Sequence, residues 1–128
     1  MNSYDLVGIL MAIFGTIGLE FYFNTKNTPI KENWMIKHIV LFKVNDKSKI
    51  EKAKELILGL KDKIPEIVDI EVFSDIGYDK SASDFGLITT LKDKNDLDIY
   101  AKHPKHLEVI KFIKTIATQR NAIDYIKE

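Results

Sequence analysis

Hydrophobic and polar positions alternate at two different periods along the chain, and each change of period marks an element. From Ile36 to Val44 the period is two: Ile36, His38, Val40, Phe42 and Val44 share one face, while Ile39 and Leu41 lie on the other. Apolar groups on both sides predict a central strand. Asn45 to Lys49 reads as a turn, with Ser48 and Glu51 spaced as a capping box. Ile50, Ala53, Leu56/Ile57, Leu60 and Ile64 then recur at helical spacing until Pro65 ends the helix. Ile67 to Ile76 returns to period two as a second strand, Gly77 to Asp84 is a polar loop, and Phe85 to Leu91 is a third strand. Lys94 to Lys102 reads as a short helix with Leu97, Tyr100 and Ala101 inward. Pro104 suits the first position of a new helix, whose buried stripe is expected at Leu107, Ile110, Ile113 and Ile116/Ala117. Ala122 to Lys127 closes the pattern as a last strand.

The order is βαββαβ with the second helix split in two. It fits an α+β fold, one antiparallel sheet with helices on one face. Helices on one face leave the other uncovered, yet His38, Phe42, Val72 and Phe73 put apolar groups on both. An uncovered apolar face buries against something, most simply a second copy, so a homodimer is expected.

Residues 1–34 form a separate segment ahead of the domain at 35–128. Leu6 to Phe23 is apolar apart from Thr16 and Glu20, close to the lower limit of the roughly 20 residues a spanning helix needs. Two readings stand open. As a membrane anchor, the segment would keep the domain on the cytoplasmic side, because Lys26 and Lys31 follow the apolar run. Alternatively, Lys31-Glu32 is codable as a purine-rich ribosome-binding sequence two codons before Met35, which makes Met35 the native start and the protein cytoplasmic.

Composition then narrows the chemistry. The absence of cysteine excludes disulfides, thiolate metal sites and a cysteine nucleophile. Zero formal net charge gives no global field for nucleic acid, and Glu108 dilutes the run of Lys102, Lys105, Lys111 and Lys114 into a solvated face. No Gly-rich phosphate loop and no Ser-His-Asp spacing stands out, and no cofactor is expected. A metal site is not expected either: His103 and His106 are three apart, but Pro104 interrupts the helix between them.

Two of the three histidines and a tyrosine cluster in Tyr100-Ala101-Lys102-His103-Pro104-Lys105-His106. These groups move protons near neutral pH, and the proline fixes the backbone that presents them. His106 is the candidate base, able to take a proton from carbon beside a carbonyl. Tyr100 is the candidate hydrogen-bond donor to the enolate oxygen that develops. His38, His103 and Phe42 are candidate ligand-binding residues. Each also has a structural reading: local hydrogen bonding for His106, a satisfied core hydroxyl for Tyr100, a helix cap for His103, and a core position for His38.

Three segments together resemble one family. Met35 to Lys43 resembles the opening strand of the stress-responsive A/B barrel (Dabb) family, Tyr100-x-x-His103-Pro104-x-His106 its HP-x-H signature, and Arg120 to Tyr125 its closing strand. The resemblance implies a ferredoxin-like monomer and a dimer whose two sheets face each other as an α+β barrel. A plant polyketide cyclase of the family closes a ring without a cofactor. Its catalytic tyrosine and histidine map to Tyr100 and His106, and two further histidines to His38 and His103. The expected function is a small-molecule cavity with cofactor-free acid–base chemistry on an apolar carbonyl compound. The alternatives are a non-catalytic stress or assembly protein acting through its dimer interface, and a membrane-tethered binding module. A cavity of roughly 300 Å³ or more lined by Tyr100, His106 and His38 favours the first. A second subunit is expected to enclose it.

Overall fold

The computed structural model describes residues 33–128. The readings of the apolar N-terminal segment as anchor or upstream extension fall outside them. No helix among the described residues is long and apolar enough to cross a membrane.

Four strands, β1 (Met35–Val44), β2 (Ile67–Ser74), β3 (Phe85–Leu91) and β4 (Ala117–Lys127), form one antiparallel sheet in the order β2-β3-β1-β4. Three helices connect them: α1 (Ile50–Leu58), α2 (Lys94–Lys102) and α3 (Pro104–Ile116). β1 is central, as its two-sided apolar pattern requires. It pairs with β3 from Ile36↔Leu91 to Phe42↔Phe85, and with β4 along its whole length.

Register sorts the side chains, because residues opposite each other in an antiparallel ladder share a face. One face carries Val40 and Phe42 of β1 with Phe85, Leu87 and Leu91 of β3, and the helices cover it. Their Ile50, Ala53, Ile57, Val109 and Ile113, with Leu60 in the 3-10 turn after α1, complete the core. The other face carries Ile39, Leu41, Phe73, Ile123 and Tyr125. Leu41, Phe73, Ile123 and Tyr125 are exposed there, between 36% and 60%.

The split between α2 and α3 has a local cause. His103 takes an extended backbone (φ −64°, ψ 134°) because Pro104 crowds the helical conformation of the residue before it. Pro104 then occupies the first turn of α3, where a missing N–H costs nothing.

Four details differ from the sequence pattern. The turn into α1 is capped by Asp46, whose Oδ1 accepts from the Ser48 backbone N–H (3.0 Å) and hydroxyl (2.6 Å), in place of a Ser48–Glu51 box. A 3-10 turn at Lys47–Lys49 delays the α-helix until Ile50, so Ser48 never reaches the capping position. β2 ends at Ser74, leaving Ile76 92% exposed. β4 begins at Ala117, well before Ala122, because backbone pairing with β1 carries it through the polar Thr118 to Asn121. Leu107 is half exposed, and α3 buries Val109, Ile113 and Ile116. Two apolar stripes fit the helical period there, and only docking selects the phase.

Gly86 is where β3 leaves no room for a side chain. A Cβ there would stand 2.6 Å from Leu41 Cδ2, 2.8 Å from Phe73 Cε1 and 2.8 Å from the Val40 carbonyl oxygen. The last of these is backbone in a central strand and cannot swing aside. Gly86→Ala is expected to cost about 1–3 kcal/mol, read as a lowered urea midpoint at unchanged slope. A variant as stable as the wild type would contradict the packing described.

Candidate active site

The helix-covered face holds a cavity of about 630 Å³. The three strands and the helices that line it belong to one chain. The reason is the side of the sheet. His38 alternates with Val40 and Phe42 and so faces the helices of its own chain, whereas Ile39 and Leu41 take the uncovered side.

Most of the wall is apolar, with Phe42, Leu60, Leu87, Val109 and Ile113 among its residues. The polar groups gather around Tyr100. His106 stacks on its ring, with centroids 4.2 Å apart and planes at 29°. His38 approaches edge-on, with centroids 5.8 Å apart and planes at 67°. The split helix makes this meeting possible: Tyr100 ends one segment, His106 opens the next, and the kink at Pro104 folds one ring over the other.

Hydrogen bonds set the tautomers. The Ala101 carbonyl can only accept, so His106 Nδ1, 3.2 Å away, carries the proton and donates it. Neutral His106 is then left with a lone pair on Nε2. Burial holds its pKa below the ordinary histidine value; the Ala101 bond opposes this, and the charges of His38, Arg120 and His103 add smaller pushes in the same direction as burial. At neutral pH the ring is therefore an uncharged base.

The fully buried Thr89 donates its hydroxyl to Tyr100 Oη at 3.3 Å. That leaves the phenol proton for another acceptor. Burial raises the Tyr100 pKa, outweighing the Thr89 bond and the Arg120 charge, so the phenol stays protonated. His38 Nδ1 lies 2.5 Å from Asp124 Oδ1 on the facing position of β4 and donates to it.

The structure thus brings together Tyr100, His106, His38 and Phe42 at one cavity. It keeps His103 apart. The His103 Nδ1 accepts from the Lys105 backbone N–H at 3.0 Å and caps α3, and His103 is not among the residues lining the cavity. Among the described residues no cluster of three or more potential ligands is arranged for a metal ion. Sequence reasoning missed Thr89, Asp124 and Arg120 as site residues. Thr89 and Asp124 face His38 across β1, a relation only the register reveals.

A sheet in this strand order, with two helical connections on one face, defines a ferredoxin-like α+β domain. The chain belongs to the stress responsive A/B barrel domain family, whose sequence model matches residues 36–127. It is 31% identical over 103 residues to the stress-response A/B barrel domain-containing protein DABB1 of Arabidopsis thaliana. That match covers 73% of this chain and 48% of the relative, so the chain spans about half the length of the curated relative. A dimeric protein of unknown function with a ferredoxin-like fold from Bacteroides fragilis is 30% identical and superposes with a TM-score of 0.65, covering 76% of this chain and 98% of that one. The hydroxynitrile lyase of Passiflora edulis is 18% identical with a TM-score of 0.66, covering 73% and 94% of the two chains, and shares the fold.

Proposed function

We propose that the cavity binds a small, largely apolar carbonyl compound and that His106 and Tyr100 carry out cofactor-free acid–base chemistry on it. The observation that supports this best is the stacking of a neutral His106 on a protonated Tyr100 at an otherwise apolar cavity. Nε2 of His106 removes a proton from the carbon beside the carbonyl. The enolate oxygen then accepts from the Tyr100 hydroxyl, itself polarised by Thr89. The enolate carbon attacks a second carbonyl, or is reprotonated by the imidazolium at another position. The first outcome closes a ring and the second is an isomerisation. His38, held by Asp124, lies beside Tyr100 as a second polar contact for the ligand. That the fold supports catalysis elsewhere is in keeping with a hydroxynitrile lyase among its structural neighbours.

The test is deuterium exchange in D2O at the carbon next to the carbonyl in a panel of 2-alkanones and 1,3-diketones, followed by NMR. Catalysed exchange is expected with the wild-type protein. Its absence across the panel would remove the catalytic reading and leave a binding or assembly protein.

We also propose that the protein is a homodimer joined through the uncovered face of the sheet. Leu41, Phe73, Ile123 and Tyr125 form an exposed apolar patch there, and the Bacteroides relative is dimeric. Light scattering on the full chain should give the mass of two chains. Leu41→Glu together with Ile123→Glu should shift it to one, and a single-chain mass for the wild type overturns the dimer.

A further inference from the structure

The chain balances 19 acidic against 19 basic side chains, but the cavity does not share that balance. Arg120 and Lys114 line it, and none of its lining residues is Asp or Glu. Arg120 is the only arginine in the chain. Its position is set by the sheet: it pairs with Phe42, on the face that also carries Ala122 opposite Val40 and Asp124 opposite His38. Asp124, the carboxylate on that stretch of β4, is engaged by His38. Among the described residues no ion pair holds Arg120. Its charge is near enough to act on both Tyr100 and His106.

A guanidinium without a carboxylate partner, at the edge of an apolar cavity and within reach of the acid–base pair, is an anion subsite. We propose that the ligand is an amphiphilic oxo acid, whose carboxylate pairs with Arg120 while its carbonyl lies at Tyr100 and His106 and its chain fills the apolar part. The proposal rests on the carbonyl reading above and adds the second functional group. Arg120's planar fork matches a carboxylate bidentately, and it stands opposite Phe42 on the face that lines the apolar cavity. Lys114 adds positive potential without the fork geometry. Two fixed points on the substrate, carboxylate and carbonyl, also orient the C–H bond toward His106, which a purely apolar pocket could not do.

Calorimetry on the full chain at pH 7.5 would compare decanoate, decan-1-ol and decyl phosphate. Decanoate is ionised there and matches decan-1-ol in chain length. The wild type is expected to bind decanoate at least about 10-fold more tightly than the alcohol, the value of one charge-assisted hydrogen bond. Arg120→Gln should remove that preference and leave the alcohol's affinity unchanged. Arg120→Lys should keep part of it. Because Arg120 is exposed on an edge strand, unchanged circular dichroism of these variants would exclude misfolding. Equal affinities for decanoate and decan-1-ol in the wild type overturn the proposal, as does a preference that survives Arg120→Gln. Tighter binding of decyl phosphate than of decanoate would assign the subsite to a phosphate head group and overturn the oxo acid. Failure of the deuterium exchange with the decanoate preference intact would instead remove the chemistry and retain the carboxylate anchor.

Discussion

Substituting His106 by alanine is expected to lower catalysed deuterium exchange by about 10²–10⁴-fold, the contribution of a positioned general base. His106→Gln should be no better. Its amide offers no basic nitrogen. Both variants should keep the wild-type circular dichroism, since His106 is half-buried and its backbone lies in the first turn of α3. An alanine variant that exchanges as fast as the wild type would eliminate His106 as the base.

The same residue predicts two pH effects. Burial holds the folded-state pKa of His106 below the ordinary value of about 6.5. Exchange should therefore persist below pH 6.5 and fall only as the pH passes the lowered value. Stability follows the same window by linkage. Between the unfolded pKa and the lower folded one, the unfolded chain binds a proton that the folded chain does not. Stability contributed by neutral His106 is thus fully present above about pH 6.5 and is lost as the pH falls toward the folded value. His106→Ala should flatten this slope.

Phe85→Ala is expected to give the largest loss of stability, about 3–5 kcal/mol for a buried aromatic ring. Phe85 is 2% exposed, opens β3 and stacks on Phe42 with centroids 5.0 Å apart and planes at 25°. It joins the central pair of strands to the helices, since both rings belong to the core cluster. Domains of this kind are held by about 5–15 kcal/mol in total, so the loss is about a fifth of that or more. Phe85→Leu keeps most of the volume and should cost below about 1.5 kcal/mol. Urea unfolding of both variants measures the difference, and a Phe85→Ala midpoint close to the wild type would show that the ring does not carry the core. Phe42 also lines the cavity. Ligand binding should accordingly weaken with Phe85→Ala under conditions where the variant is still folded.

Much of the domain is legible from the pattern of side chains alone. The bounds of β3, α2 and the start of α3 follow from alternation, from helical spacing and from Pro104. These are local effects, set within a few residues of where they act. The stack of His106 on Tyr100 is also local, because the partners lie six positions apart with one proline between them. Elements whose limits depend on a distant partner are less legible. β4 runs through Thr118 to Asn121 because β1 offers a backbone ladder, and the exposed phase of Leu107 reflects how α3 docks.

By itself the sequence determined the βαββαβ order, the split second helix, the family signature and the candidate residues Tyr100, His106 and His38. Periodicity and proline stereochemistry act along the chain, so reading the chain is enough to see them. Only the tertiary structure decided which face of the sheet the helices cover, and hence that the cavity lies within one chain. It also decided that Thr89 and Asp124 brace Tyr100 and His38, and that Arg120 lines the same cavity. Each of these depends on strand register, where a shift of one residue would turn every side chain to the opposite face. Register is fixed by the packing of the whole sheet against its helices, and no single segment contains it.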